Sequence, residues 1–292
     1  MKPFLITSGV VLAMSLLAFV LLMPASGNFV RYLWWRAMSA AIVVRGSVRS
    51  GDADIHYVKY GSGLPLLLLH GGLSHRLSWF SQLPWLAASG REVIVVDTRG
   101  HGESGLGDTE LSYRLLASDV VHVLNQLGIQ HTDVIGWSDG ANTALLLARY
   151  WPERVCRIVA ISGNSDPSGL TSEARADSST HSTGLTYWWY RWWTRAGERI
   201  DELERRIKHL WRNNPSLQAH DLGAIEAPTL LIVGEHDVIT SEHAQQMADL
   251  LPHGTLEVIP AGGHATLITH ACQIDMLIGK FLGIPIDYLC KK

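Results

Sequence analysis

Only three cysteines occur in the 292 residues, Cys156, Cys272 and Cys290. None are spaced as C-x-x-C, and an odd count fits no disulfide framework, so neither a redox motif nor a stapled mini-domain is expected. Cys156 opens an apolar run, where a buried, inert thiol is the expectation. Metal-binding patterns are missing too: there is no H-E-x-x-H and no paired Cys/His spacing. Charged residues make up 17% of the chain and the formal charge is −3. Outside one tryptophan-rich stretch no basic block interleaves with aromatics, which argues against a nucleic-acid partner. No repeat of fixed period appears, so solenoids and propellers are excluded.

What the chain has is apolar residues, 47% of the total. That is too many for a disordered chain and, at this length, enough for a sizeable core. Residues 4–23 read FLITSGVVLAMSLLAFVLLM, without a charge, and such a run can span a bilayer as a helix. A cleaved signal peptide is the rival reading, with Lys2 before the run and Ala25-Ser26-Gly27 after it. The run exceeds the usual signal-peptide core, which favours an uncleaved membrane anchor; cleavage would export the body instead. Tyr32, Trp34 and Trp35 beside Arg31 and Arg36 then suit a membrane–water interface. Residues 1–45 are therefore set apart as an anchor or signal segment with an interfacial stretch.

Beyond residue 50, apolar runs alternate with helical patterns. Strands are expected at 55–60, 64–69, 91–97, 133–136, 157–161, 229–233 and 255–259, and helices at 111–127, 142–150, 244–251 and 266–282. Strands apolar on both faces and separated by helices predict a mostly parallel central sheet with helices on both sides, an α/β fold. Residues 165–220 break the alternation. There Leu185, Trp188, Trp189, Trp192, Trp193 and Ala196 share one helical face, and Ile200, Leu203, Ile207 and Leu210 another. A helical cap insert is expected over 165–220, with the core formed by 46–164 and 221–292.

The turn-rich motifs sit at the ends of the apolar runs, where parallel sheets bind ligands. Gly136-Trp137-Ser138-Asp139-Gly140 fits G-x-S-x-G with a strand before and a helix after, a turn that projects the serine hydroxyl outward. A serine is a weak nucleophile without a base, and the base needs an orienting carboxylate. Downstream, in the order acid then histidine, Asp237 follows the strand at 229–233 and His264 follows the last strand. The oxyanion donors are expected to be the N–H of Asp139 and that of Gly72 or Leu73. Each residue also has a plainer reading: Ser138 as a turn serine, Asp237 as a helix cap, His264 as a loop histidine. The three in order at strand ends outweigh those readings. For the Asp139 side chain the plainer reading, a favourable charge in the first helical turn, is preferred. Arg99, His101 and Glu103 are expected to order their loop. Gly100-His101-Gly102-Glu103-Ser104-Gly105 spells G-x-G-x-x-G, but Leu106-Gly107-Asp108 follows where a dinucleotide site needs a helix, so no nucleotide cofactor is expected.

LLLLHGG, VVDTRGHGES, VIGWSDGA, PTLLIVGEHD and IPAGGHA together resemble the α/β-hydrolase superfamily over about residues 50 to 285. GWSDG is similar to the biphenyl-hydrolase-like esterases, in which a helical cap at this position is usual. The resemblance implies the α/β-hydrolase fold and cofactor-free hydrolysis of a carboxylic ester or related acyl bond. Asp139 attracting a substrate ammonium group is a further implication. Carbon–carbon hydrolases and cofactor-free haloperoxidases share the Ser-Asp-His set and stay open. So does a non-catalytic, membrane-anchored binding module. HGG without a following Pro-Gly departs from the aminopeptidase pattern. An aromatic, apolar cap suggests a small to medium hydrophobic acyl substrate.

Overall fold

A computed structural model describes residues 24–39, 43–177, 191–192 and 194–286. The apolar run at 4–23 lies outside them, as do Leu185, Trp188, Trp189 and Trp193 of the cap face. Among the described residues no helix is long and apolar enough to cross a membrane.

Eight strands form one sheet: β1 (Val43–Ser50), β2 (Ala53–Tyr60), β3 (Leu64–Leu69), β4 (Arg91–Val96), β5 (Thr132–Trp137), β6 (Val155–Ile161), β7 (Thr229–Gly234) and β8 (Gly254–Ile259). Their order is β1-β2-β4-β3-β5-β6-β7-β8, antiparallel at β1–β2 and β2–β4 and parallel from there on. The sequence reading missed β1, which begins inside the segment set apart as interfacial. This edge strand is exposed over much of its length and carries Arg45 and Arg49, so it lacks the apolar run that marks a buried strand.

The helices are α1 (Pro24–Met38), α2 (Leu83–Ala88), α3 (Tyr113–Gln126), α4 (Asp139–Tyr150), α5 (Ser172–Asp177), α6 (Ile200–Asn213), α7 (Ala219–Leu222), α8 (Ser241–Leu250), α9 (Thr266–Thr269) and α10 (Ala271–Leu282). Alternation along the strands builds two cores. Leu67, Leu69, Ile94 and Val134 face α3, α4 and α8, whereas Leu66, Leu68, Val93 and Val95 face α2 and α10. The apolar stripe of α6, formed by Ile200, Leu203, Ile207 and Leu210, joins the first core. Its charged side is not wholly solvated: Glu204 and Lys208 are buried and pair at 3.0 Å.

α1 docks on the second face. Tyr32 and Trp35 pack against that core, Trp35 meets the Tyr60 ring at 5.7 Å, and Phe29 meets Phe80 edge-on at 5.5 Å. Two cysteine expectations fail. Cys156, the second residue of β6, is a free but exposed thiol on the strand's solvent-facing start, and Cys272 is disulfide-bonded. In the loop after β4, Arg99 is buried and gives a two-pronged bond to Asp119 at 2.8 and 2.9 Å. The G-x-G-x-x-G stretch runs through turns and opens no helix.

Candidate active site

β5 ends at Trp137 and α4 begins at Asp139, which leaves a single residue to reverse the chain. Ser138 does so at φ 55°, ψ −119°, a conformation that costs a non-glycine residue strain and is kept only where the surroundings enforce it. The surroundings here are backbone. A Cβ on Gly136 would lie 2.2 Å from the Gly140 carbonyl oxygen, and one on Gly140 would lie 2.0 Å from that of Leu69. Strand and helix cross too closely for any side chain at either glycine.

Ser138 Oγ lies 3.0 Å from His264 Nε2, and His264 Nδ1 lies 2.7 Å from Asp237 Oδ1. The three residues leave the ends of β5, β8 and β7 and converge on one face. The Asp237 side chain is fully buried. Burial pulls its carboxyl upward, but the hydrogen bond and charge of His264, with the Ser162 hydroxyl and the Gly234 N–H, hold it below its ordinary value. Its Oδ2 accepts from Ser162 Oγ at 2.5 Å and its Oδ1 also from the Ile239 N–H at 3.2 Å. An ionised Asp237 takes the Nδ1–H of His264. That leaves the Nε2 lone pair to receive the serine proton. Trp137 Nε1 donates to the His264 carbonyl at 2.9 Å and fixes the histidine loop.

The oxyanion donors separate cleanly. Among the described residues the N–H groups of Gly72 and Asp139 have no protein acceptor. Leu73 is different: its N–H donates to His101 Nε2 at 3.0 Å. Burial pushes His101 down to about 3, so the ring is neutral and can accept. Leu73 is thereby removed from the expected pair, and Gly72 remains. His70, also lowered to about 3 by burial, accepts from the Thr98 N–H at 3.0 Å and anchors the same loop.

Asp139 differs from a solvated helix-start charge. It is buried, and its Oδ1 accepts from Tyr113 Oη and Trp211 Nε1, each at 2.8 Å. Its Oδ2 has no partner. Burial raises the carboxyl to about 6, and the two hydrogen bonds pull the other way. A cavity of about 400 Å³ opens onto Ser138 and His264, walled by Leu170, Trp211, Val238 and Ile239, with Asn164 and Glu173 as polar points. Trp211 and Leu170 come from the insert region, so residues between the fourth and fifth parallel strands roof the serine.

Sequence reasoning passed over Ser162, Tyr113, Trp211 and Trp137. Ser162 carried a faint signal, since it directly follows a strand end, and it too sits at positive φ, 55°. Among the described residues no group of three or more His, Cys, Asp and Glu side chains could hold a metal ion.

A model of the alpha/beta hydrolase family matches residues 66–273. A putative non-heme chloroperoxidase from Synechocystis sp. is 28% identical over 274 residues, which is 82% of this chain and 99% of that protein. Serine hydrolase BPHL from Homo sapiens is 26% identical over 254 residues, 82% of this chain and 87% of its own. Among solved structures, a meta-cleavage product hydrolase from Pseudomonas fluorescens IP01 superposes with a TM-score of 0.70 at 18% identity, over 82% of this chain and 97% of that one; at that identity the likeness is one of fold. The matched span runs from β3 to the first turn of α10 and includes every loop that carries the triad, and the chain belongs to the alpha/beta hydrolase family.

Proposed function

We propose that this hydrolase cleaves carboxylic esters of small to medium hydrophobic acyl groups through an acyl-enzyme. The observation that carries the reading is the unbroken relay from Ser138 Oγ through His264 to Asp237, at 3.0 and 2.7 Å, opening into an apolar cavity. Ser138 Oγ attacks the acyl carbon while His264 Nε2 takes its proton. The carbonyl oxygen gains the negative charge and receives the Gly72 and Asp139 N–H groups. His264 then delivers the proton to the departing alkoxide, and the acyl group stays on Ser138. Water, deprotonated by the same nitrogen, attacks the acyl-enzyme and regenerates the serine.

The test is a chain-length series of chromogenic esters with wild type and Ser138→Ala, alongside fluorophosphonate labelling. Loss of the nucleophile should lower kcat by a factor on the order of 10⁶. Labelling that survives in Ser138→Ala, or a variant that turns over near the wild-type rate, sinks the reading. The same Ser-Asp-His set also serves one alternative, carbon–carbon bond hydrolysis. Turnover of a meta-cleavage product with no ester activity would establish that instead.

We also infer that residues 4–23 hold the body at a membrane, or that the body is exported if this segment is cleaved. The outer side of α1 supports a lipid neighbour: Val30, Leu33, Trp34 and Met38 are exposed at helical spacing. Fractionating cells and sequencing the mature N-terminus separates the two outcomes.

A further inference from the structure

A second cavity, of about 110 Å³, shares no lining residue with the triad's cavity and forms where three distant parts of the chain meet. Tyr32 and Arg36 reach it from α1, Arg45 from β1, Tyr60 from β2, Arg76 from the loop beyond Leu73, and Arg195 from the segment that leaves the cap. Four guanidinium groups thus face one small space. Two carboxylates balance part of that charge: Arg76 pairs with Asp97 and, at 2.6 Å, with Glu103, and Arg45 stands 3.8 Å from the same Glu103. Arg36 and Arg195 have no carboxylate partner among the described residues.

The Arg76 side chain is only 13% exposed, and the Tyr32 hydroxyl, itself bonded to Arg36, feels Arg36, Arg76 and Arg45 together. The Tyr60 hydroxyl feels the same three. His75, which also lines the space, is pushed down to about 4 by burial and by Arg195 and Arg76, so it adds no further charge. Arg36 is half-buried, and Arg45 and Arg195 are exposed at the mouth above Arg76; like charges brought this close repel one another unless an anion joins them. The space holds roughly three or four waters at about 30 Å³ each, the scale of one tetrahedral oxyanion. Planar guanidinium forks with phenolic hydroxyls between them match phosphate oxygens.

We propose that this cavity is a seat for a phosphate group, borne by free phosphate or by the headgroup of an anionic lipid. The helix that brings Tyr32 and Arg36 to the seat also carries the exposed apolar side chains of Val30, Leu33, Trp34 and Met38, a surface that suits a lipid neighbour. The proposal is independent of the ester reading and survives its failure.

The test uses the full chain in detergent micelles. Native mass spectrometry follows retention of phosphatidylglycerol against phosphatidylcholine, and titration calorimetry follows inorganic phosphate. Preferred retention of phosphatidylglycerol, displaced by inorganic phosphate, identifies a headgroup seat. Phosphate binding without lipid preference identifies a small-anion seat. In either case Arg36→Gln with Arg195→Gln should weaken binding about tenfold or more, the loss of at least one charge-assisted bond. Arg45→Gln, at an exposed position, should weaken it in the same direction and serves if the double variant unfolds. Equal retention of both lipids with no phosphate binding overturns the proposal, as does binding that folded variants leave at the wild-type level.

Discussion

The Oδ2 oxygen of Asp139 lies 2.3 Å from the position that a Cβ on Gly72 would occupy. One donor of the oxyanion pair therefore packs against the side chain of the residue that supplies the other. Trp211 closes the same spot at 2.9 Å, so the glycine has no free direction in which to grow. Gly72→Ala should displace the HGG loop from Ser138 and misalign its N–H. We expect kcat to fall by about 10² to 10³, the cost of one lost oxyanion donor, with fluorophosphonate labelling slowed in parallel. A Gly72→Ala enzyme with unaltered kcat would show that this N–H is not in the hole.

Asp139 itself sets a pH dependence. Burial raises its carboxyl from 3.8 to about 6, so the folded protein holds a proton that the unfolded chain has already released between those values. A raised acid contributes stability at low pH that is lost as pH climbs through the folded value. Asp139→Asn cannot ionise and should escape that loss. Across pH 4 to 7 the variant should gain on wild type by an amount on the order of 3 kcal/mol, levelling off above about pH 6. Urea unfolding over this range reads the difference, and a pH-independent gap would mean that burial does not govern this carboxyl.

The residues that can be read from the sequence are those whose signal is local. A strand running into G-x-S-x-G, and two later strands ending in Gly-Glu-His-Asp and Ala-Gly-Gly-His, announce tight turns through their glycines. The partners that tune the site are brought in from afar: Ser162 lies 75 residues from Asp237, and Trp211 lies 72 residues from Asp139. A lone serine or tryptophan carries no mark of such a contact. The choice between Gly72 and Leu73 depended on His101, a residue read only as ordering its own loop. β1 escaped because an edge strand with charges on its open face has no apolar run. The same chemistry on both sides of α1 hid which of its aromatics would dock and which would stay outside.

Ser162 acts through Asp237. Its hydroxyl donates to the carboxylate at 2.5 Å and is buried with it. Ser162→Ala leaves one carboxylate oxygen with only the 3.3 Å Gly234 N–H, and the carboxyl should drift upward toward its ordinary value. A hydrogen bond to a charged group contributes about 1.5 to 3 kcal/mol, so kcat should fall roughly tenfold or more with KM little changed. Asp237→Asn, which turns the imidazole to the wrong tautomer, should cost about 10⁴. Because Asp237 is lowered in the folded state, its share of stability is present above the ordinary carboxyl value and fades as pH drops toward the folded one. In Ser162→Ala that fading should begin at the same ordinary value but end at a higher pH, with a smaller total loss; kcat and acid unfolding that both match wild type would rule out the positioning role.

Asp275 supplies the contrasting alkaline case, away from the chemistry. It sits buried in α10, beneath the stretch that follows His264, with its Oδ1 accepting from Gln82 Nε2 at 2.8 Å. Burial raises its carboxyl to about 8, and the hydrogen bond from Gln82 only partly opposes that. By the same sign as Asp139, the stability tied to its proton is whole below 3.8 and drains as pH rises to about 8. The window is wider, so the loss is larger, on the order of several kcal/mol. Asp275→Asn keeps an acceptor for Gln82 and should unfold at higher urea than wild type from pH 5 upward. The gap should keep widening past pH 6, where the Asp139 effect has levelled off, and flatten only near pH 8. That difference in plateau assigns each slope to its residue; a gap for Asp275→Asn that stops growing at pH 6 would mean the carboxyl is ionised in the folded protein at neutral pH.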